Sequence, residues 1–453
     1  MDDSTNLTVA SGENTGAATA ASTAPPPPRA PKELWIDELN ASTYNELMQR
    51  AEELNVRINP EKTRHHIVFD LLRAYASLGT VLYADGVLEL AQNGSTGFLR
   101  WPRYNFKTLP QDVFVPAQQI NQYALRNSNR FTCRIRPPRD HRERNFVIDA
   151  ILAIEDIPAA EWHENTEFDR LTAMHPSERI VIENLKLNSV TARAIDLIAP
   201  LGHGQRGLII APPRVGKTVM LKEIAKAISA NNPDTKLILL LIDERPEEVT
   251  DFRRSLNNCE IYSSTFDESP QRHTQIAELV SDRAKRCVEL GKKVVILLDS
   301  ITRLSRGYNN LMPGKGRLMS GGVDSKALIK PKKFFSAARN TEEGGALTVL
   351  ATCLVETNSK ADDLIFEEYK GTGNMEIRLD RTLGDKRIFP AINIPQSATR
   401  RDDLLYHPKE FERVNVIRKQ LAALPPFEAT EVLIHAIKAT HSNAELLLTG
   451  LRD

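Results

Sequence analysis

The chain is short of cysteine, of net charge and of long apolar runs, and each shortage removes a class of protein. Cys133, Cys259, Cys287 and Cys353 are scattered, with no close pair and no metal-ligand spacing. That leaves no case for a disulfide framework or a zinc site, and points to buried thiols in a reducing compartment. The longest apolar run, Leu237 to Ile242, is strand-sized and far below a membrane span. The opening MDDSTNLT has neither a basic n-region nor an apolar h-region, so neither a signal peptide nor a membrane partner is expected, and the location is cytoplasmic. Lys plus Arg number 59 and Asp plus Glu 59, so any basic surface must be local. Residues 1–32 are rich in Ala, Ser, Thr, Gly and Pro with few bulky apolar side chains, a tail expected to be disordered. There is no repeat of solenoid period.

What remains is ordinary globular sequence, 453 residues with 41% hydrophobic and 26% charged, enough for several domains. Residues 33–79 read as a helical subdomain. Tyr44, Leu47, Met48, Ala51 and Leu54 share one helical face, and Thr43 with Glu46 fits a capping box. A second helix is expected from Asn59-Pro60, with Ile67, Val68, Leu71, Leu72 and Tyr75 as its apolar stripe. Over 80–156 five short strand-like runs recur: Val87–Leu90, Gly97–Trp101, Asp112–Val115, Phe131–Arg136 and Phe146–Ile154. That rhythm suggests an OB-fold barrel. Residues 157–187 read as a polar linker. From 188 to 453 strands alternate with helices: Gly207–Ala211, Lys236–Ile242, Val294–Leu298 and Leu347–Val355, with helices at 217–230 and 271–290 and a helical end near 408–450. Continuous apolar strands suit a buried parallel sheet, so this region is read as an α/β nucleotide-binding domain.

The strongest motif is Ala211-Pro-Pro-Arg-Val-Gly-Lys-Thr218, a P-loop pattern with Ala in place of the first Gly, lying between a strand and a helix. Backbone N–H groups there cradle phosphates, Lys217 reaches the terminal phosphates, and the Thr218 hydroxyl binds Mg²⁺. Asp299 ends the run VVILLD, where a carboxylate holds the metal and its water. Glu244 follows another buried strand and is the candidate to polarise the attacking water; strand ends converge on one crevice in such sheets. Position alone makes Arg400 a surface arginine and Phe389 a core aromatic.

Arg100, Arg103, Lys107, Arg126, Arg130, Arg134, Arg136, Arg139, Arg142 and Arg144 crowd one stretch, opposed there only by Asp112, Asp140 and Glu143. Phe98, Trp101, Tyr104, Phe106 and Phe114 interleave with them. A positive groove with aromatic platforms is how barrels of this kind hold single strands. Two Gly-rich segments, 313–326 and 370–376, look like loops able to grip a nucleic-acid backbone.

The strings GLIIAPPRVGKT, LLLIDERPEEVTDFRR, STFDES, ILLDSITRLSR, GGVDSKAL and YKGTGNMEI, in this order, resemble the bacterial Rho family of transcription termination factors. The resemblance spans roughly 33–450. It implies a homohexameric RecA-like ring with ATP and Mg²⁺ between subunits, an OB domain capturing single-stranded RNA, and RNA threaded through the ring until RNA polymerase is released. It places Gly202, His203, Gly204, Gln205, Arg206 and Gly207 beside the nucleotide, with Arg214, Val215, Gly216, Lys217, Thr218 and Val219 as the phosphate loop. Glu244 activates water, Arg245 contacts phosphate, Asp299 and Arg303 form the metal-side strand end, Phe389 meets adenine and Arg400 becomes the arginine finger. RNA capture falls to Phe98, Arg100, Asp112, Phe114, Glu143 and Arg144. The pore falls to Arg317, Leu318, Met319, Ser320, Gly321 and Gly322 in one loop and Lys360 in another. Arg214 and Arg317 stand where the family has lysine, Phe114 where Tyr is usual, and Asn145 where an aromatic is common. GSTGFLR keeps only Phe98 of two usual aromatics, and Trp101 or Tyr104 is the candidate to compensate. Two other readings remain: a rotary or secretion-type ATPase subunit, and an RNA-binding module without a motor.

Overall fold

The computed structural model describes residues 30–59, 61–92, 94–139, 143–313 and 319–451. Residues 1–29 of the expected tail (1–32) and pore residues Arg317 and Leu318 lie outside them, while Pro31 and Lys32 bond Thr80 and Val81 through their carbonyls. The capping box forms: Thr43 Oγ1 accepts from the Glu46 N–H at 3.3 Å, and the Glu46 carboxylate accepts from the Thr43 N–H at 2.6 Å. The helix Tyr44–Glu53 follows, though Tyr44 itself is exposed. The next helix is Arg64–Ser77, later than the Asn59-Pro60 signal, because the Asn59 side chain accepts from the Glu61 N–H and closes a turn instead. Its stripe Ile67, Val68, Leu71, Leu72 and Tyr75 is buried as the spacing requires.

That stripe has no core of its own. It shares one with the strands β1 (Val81–Leu90), β2 (Gly97–Arg100), β3 (Val113–Val115), β4 (Arg130–Arg136) and β5 (Phe146–Ile154), through Leu82, Leu99, Val113, Phe131 and Phe146. β1 pairs with both β2 and β4, β2 with β3, β3 with β5, and β5 with β4, so the five close into a barrel. β1 must coil to serve two partners. A Cβ on Gly86 would stand 2.7 Å from Leu99 and 2.8 Å from the Arg100 carbonyl, so only glycine fits there.

The ATPase region is built on β6 (Arg206–Ala211), β7 (Lys236–Glu244), β8 (Glu260–Thr265), β9 (Lys293–Asp299), β10 (Ala346–Leu354), β11 (Met375–Arg378) and β12 (Ala398–Thr399). They lie in the order β8-β7-β9-β10-β6-β11-β12, parallel except for β12. Leu237, Leu239 and Leu241 face one helix layer, Ile238, Leu240 and Ile242 the other, which explains the unbroken apolar run. β8 and β11 were hidden because their sequences, EIYSST and MEIR, are polar or short.

The stretch 157–187 is packed rather than loose. Phe168 and Leu171 enter the ATPase core, and Ala173–Met174 pairs with Arg339–Thr341. The barrel is clamped to the helix Pro270–Glu289 and to β8: Arg283 makes two 2.7 Å bonds to Glu155 and Arg126 pairs with Glu289 on the helix side, and Phe106 stacks on Tyr262 of β8 at 4.9 Å.

Candidate functional site

β6 delivers the chain into the loop 212–216 and the helix Lys217–Asn231. Gly216 has φ +83°, a left-handed turn that frees the helix N–H groups to point at a ligand. A Cβ on Gly216 would lie 3.2 Å from the Phe389 ring, so Phe389, half exposed, sits directly against the phosphate loop. Position alone had made it a core residue. Val215 is buried beneath the loop, while Arg214 and Val219 are exposed on it.

Lys217 forms an ion pair with Asp299, whose carboxylate is fully buried. Thr352 donates to Asp299 Oδ1 at 2.8 Å, while Oδ2 is buried without a partner. Thr218 follows Lys217 directly in the chain, and its hydroxyl lies 3.4 Å from Glu248. A buried, half-satisfied carboxylate paired with Lys217 suits a hydrated divalent cation, since an uncompensated oxygen there is costly. Glu244 is also buried. β7 carries a bulge between Ile242 and Glu244, with Asp243 at φ +56°, and this irregularity re-aims the strand end. Arg303 pairs with Glu244 and donates to the Asp243 carbonyl at 2.5 Å. Arg245 is exposed at the start of the helix Pro246–Ser255. His273 went unnoticed in the sequence. It bonds Ser264 at 2.9 Å and lies 4.0 Å from Asp243, and burial lowers its pKa. A lone histidine in a helical stretch carried no signal of this.

The helix Ile301–Asn310 leaves directly from Asp299 and reaches both expected pore loops. Its Arg306 grips buried Asp362 with bonds of 2.8 and 2.5 Å, and Thr357 adds another at 2.6 Å. Asn309 accepts from the Asp324 N–H at 2.8 Å. Gly321, at φ +78°, is pressed so close to the Lys360 backbone that a Cβ would stand 2.7 Å away. Met319 to Gly322 and Lys360 are thus neighbours, joined to the ATP side by one helix. The other Gly-rich segment, 370–376, is not such a loop. Asn374 bonds Gln205 and Arg206 under the sheet, and Gly373 and Met375 are buried, because the chain must turn there into β11.

Gly202 to Gly207 are not beside their own phosphate loop. They open β6, and that strand separates the two by about 20 Å at ~3.3 Å per residue. Gln205 is buried and bonded to Asn374 at 2.6 Å; His203 is buried and its pKa is pushed down to about 4, chiefly by desolvation. Arg400 is exposed at this same amino edge, its N–H donating to the Asn374 carbonyl at 2.8 Å.

On the barrel, Phe98 and Phe114 form a cross-strand edge-to-face pair at 5.7 Å, and the Arg100 guanidinium lies 5.1 Å from the Phe98 ring. Arg100 is held by Glu89 and Asp112. Burial pushes the Asp112 pKa up to about 6 against the pull of Arg100. Asn145 donates to the Asp112 carbonyl at 3.1 Å, Glu143 bonds Arg136, and Arg144 is exposed next to them. Trp101 cannot compensate as a stacking platform, being 1% exposed inside the core, and Tyr104 spends its hydroxyl on the Asn40 carbonyl. The basic excess shrinks too. Lys107, Arg126, Arg130, Arg134 and Arg136 pair with Glu268, Glu289, Asp85, Asp149 and Glu143, most of which lie outside the counted window.

Residues 191–399 match the ATP synthase alpha/beta family nucleotide-binding domain, and residues 84–159 the Rho termination factor RNA-binding domain. Transcription termination factor Rho of Akkermansia muciniphila is 48% identical over 93% of this chain and 88% of its own length. That of Pseudomonas aeruginosa is 47% identical over 90% and 98%. Among solved structures, a prototypical ATPase from the type III secretion system of pathogenic bacteria shares 26% identity and a TM-score of 0.50, over 56% of this chain and 71% of that one. The secretion-ATPase reading therefore reduces to a distant kinship of the motor fold, whereas both domains and nearly the whole length follow the other relatives. The chain belongs to the transcription termination factor Rho family.

Proposed function

We propose that the protein is an RNA-dependent ATPase that works in the cytoplasm as a homohexameric ring. It captures nascent single-stranded RNA on the barrel (80–156), draws it through the ring with the motor domain (188–453), and releases it from the RNA polymerase elongation complex. In this reading Phe98, Arg100, Asp112, Phe114, Glu143 and Arg144 form the capture face, and the loop at 317–322 with Lys360 lines the pore. Lys217 and the loop N–H groups hold the ATP phosphates, Phe389 meets adenine, and Glu244 takes up the proton of the attacking water. Thr218 and Asp299 would hold Mg²⁺, which would supply positive charge against the negative charge developing in the transition state.

The observation that supports a ring is the split of the site across the sheet. Lys217, Glu244 and Asp299 stand at the carboxyl edge and Arg400 at the amino edge of the same chain. An arginine finger so placed serves only a neighbour's phosphate loop, and head-to-tail contacts of that kind close into rings. Hydrolysis is then tied to RNA by the helix Ile301–Asn310, which touches Glu244 through Arg303 and both loops through Arg306 and Asn309. The test is ATPase rate with and without poly(C), together with the mass of the assembly. Multiples of the 50.7 kDa chain up to six and strong stimulation are expected. A monomer, or a rate indifferent to RNA, would overturn the reading.

A further inference from the structure

The amino edge holds more than Arg400. A cavity of about 430 Å³ opens there, lined in part by Met174, His175, Gly204, Arg206, Arg339 and Asn374. Arg206, Arg339 and Arg400 lie close enough that the latter two help to lower the Arg206 pKa, after burial itself. Among the described residues no carboxylate pairs with any of the three, although nearly every other half-buried arginine in the motor domain has one. Their bonds go to main-chain carbonyls: Arg206 to Thr372 at 3.2 Å and Ala338 at 3.1 Å, Arg339 to Ala337 at 3.3 Å. A guanidinium carries five N–H donors, so donors remain on both.

Arg339 is also held in place. Its guanidinium lies 4.7 Å from the Phe168 ring, on the connector from the barrel. The strand Arg339–Thr341 seats against Gly204, whose φ is +89° and whose Cβ would stand 2.2 Å from the Asn340 nitrogen. Gathering like charges in a half-buried cavity is unfavourable unless an anion joins them. A flexible lysine would tolerate solvent, whereas stacked, forked guanidiniums match a phosphate.

We propose that Arg339, supported by Arg206, binds the terminal phosphates of ATP held on the neighbouring subunit's phosphate loop, as a second guanidinium beside Arg400. The proposal rests on the ring reading above. It gives Gly204 and Arg206 a place at the nucleotide after all, but at the next subunit's. Because the stacking ring belongs to the barrel connector, it also ties the site's geometry to the RNA-binding domain.

Arg339→Ala should assemble normally and bind RNA as before, with RNA-stimulated turnover reduced about tenfold or more. Arg339→Lys, keeping charge without the fork, should recover part of it. Subunit mixing separates a trans role from a structural one. Arg339→Ala mixed with Lys217→Ala should regain activity, because some junctions join an intact loop to intact arginines. Arg339→Ala mixed with Arg400→Ala should not, since both defects lie on one side of the junction. The control is Lys217→Ala mixed with Arg400→Ala. If the control regains activity and the Arg339 mixture does not, the inference fails and the ring stands. If the control stays dead, the ring reading fails with it. Turnover of Arg339→Ala within about twofold of wild type, or a loss confined to RNA affinity, also overturns the inference.

Discussion

The ATP edge and the RNA face both set basic side chains against carboxylates, yet the pairs differ in what surrounds them. At the ATP edge Lys217–Asp299 and Arg303–Glu244 are buried and leave Asp299 Oδ2 unsatisfied. On the barrel Arg130–Asp85, Arg134–Asp149 and Arg136–Glu143 are partly exposed. Exposed pairs contribute little and are screened by salt, while a buried pair missing a partner is strained toward exchange. In the proposed site the ATP-edge pairs are placeholders that phosphate and metal would displace, and the barrel pairs are standing surface structure. The chemistry concentrates in a few buried atoms on one side and spreads over a wide, nearly neutral face on the other.

The sharpest way to break that contrast is Glu244→Gln. It removes the proposed proton acceptor and leaves shape and burial alone, so ATP binding should persist while turnover falls about 10³-fold. Single-turnover hydrolysis beside nucleotide binding measures both. Substantial hydrolysis would mean that the bulge at Asp243 aims something else at the water.

Effects on the RNA face should be smaller and graded. Phe98→Ala removes half of the aromatic pair and the surface under Arg100, and should weaken RNA binding by about tenfold, in line with ~1–3 kcal/mol per stacked base. Trp101→Phe, a change inside the core, should leave RNA affinity within about twofold and show only in thermal stability. Fluorescence anisotropy with a short pyrimidine strand distinguishes the two; equal losses would put Trp101 back on the binding face.

Much of this was legible in the sequence, for identifiable reasons. The barrel and the sheet announce themselves because apolar period and Gly or Pro punctuation set strands locally, so Phe146–Ile154 and the P-loop helix fall where expected. The carboxylates Glu244 and Asp299 were legible because each ends a buried run. What sequence hides is distance across the fold. The Gly202–Gly207 segment lies near the phosphate loop in sequence but at the opposite edge of the sheet, since a strand intervenes. The basic count misled because the neutralising acids come from other elements, Glu268 and Glu289 above all. Trp101 looked available because its alternation with Arg100 breaks where β2 ends and the chain turns inward.

The gentlest probe of the comparison is Asp112. Its carboxylate is 1% exposed, accepts from the Leu109 N–H at 2.7 Å and pairs with Arg100, yet burial raises its pKa to about 6. A raised carboxylate pKa means that the folded chain holds a proton which the unfolded chain has lost, between the ordinary value of 3.8 and about 6. Stability contributed by this group is thus present at low pH, declines as pH climbs through that window, and is flat above it. Protonation also loosens the hold on Arg100, which Glu89 then keeps alone. RNA affinity should therefore rise a few-fold, roughly three, as pH falls from 7.5 to 5.5. Asp112→Asn should sit at the higher affinity and lose most of that slope, with ATP turnover at saturating RNA unchanged. A variant that kept the wild-type slope would assign the pH response to other groups and make the Arg100–Asp112 pair as inert toward RNA as the exposed pairs around it.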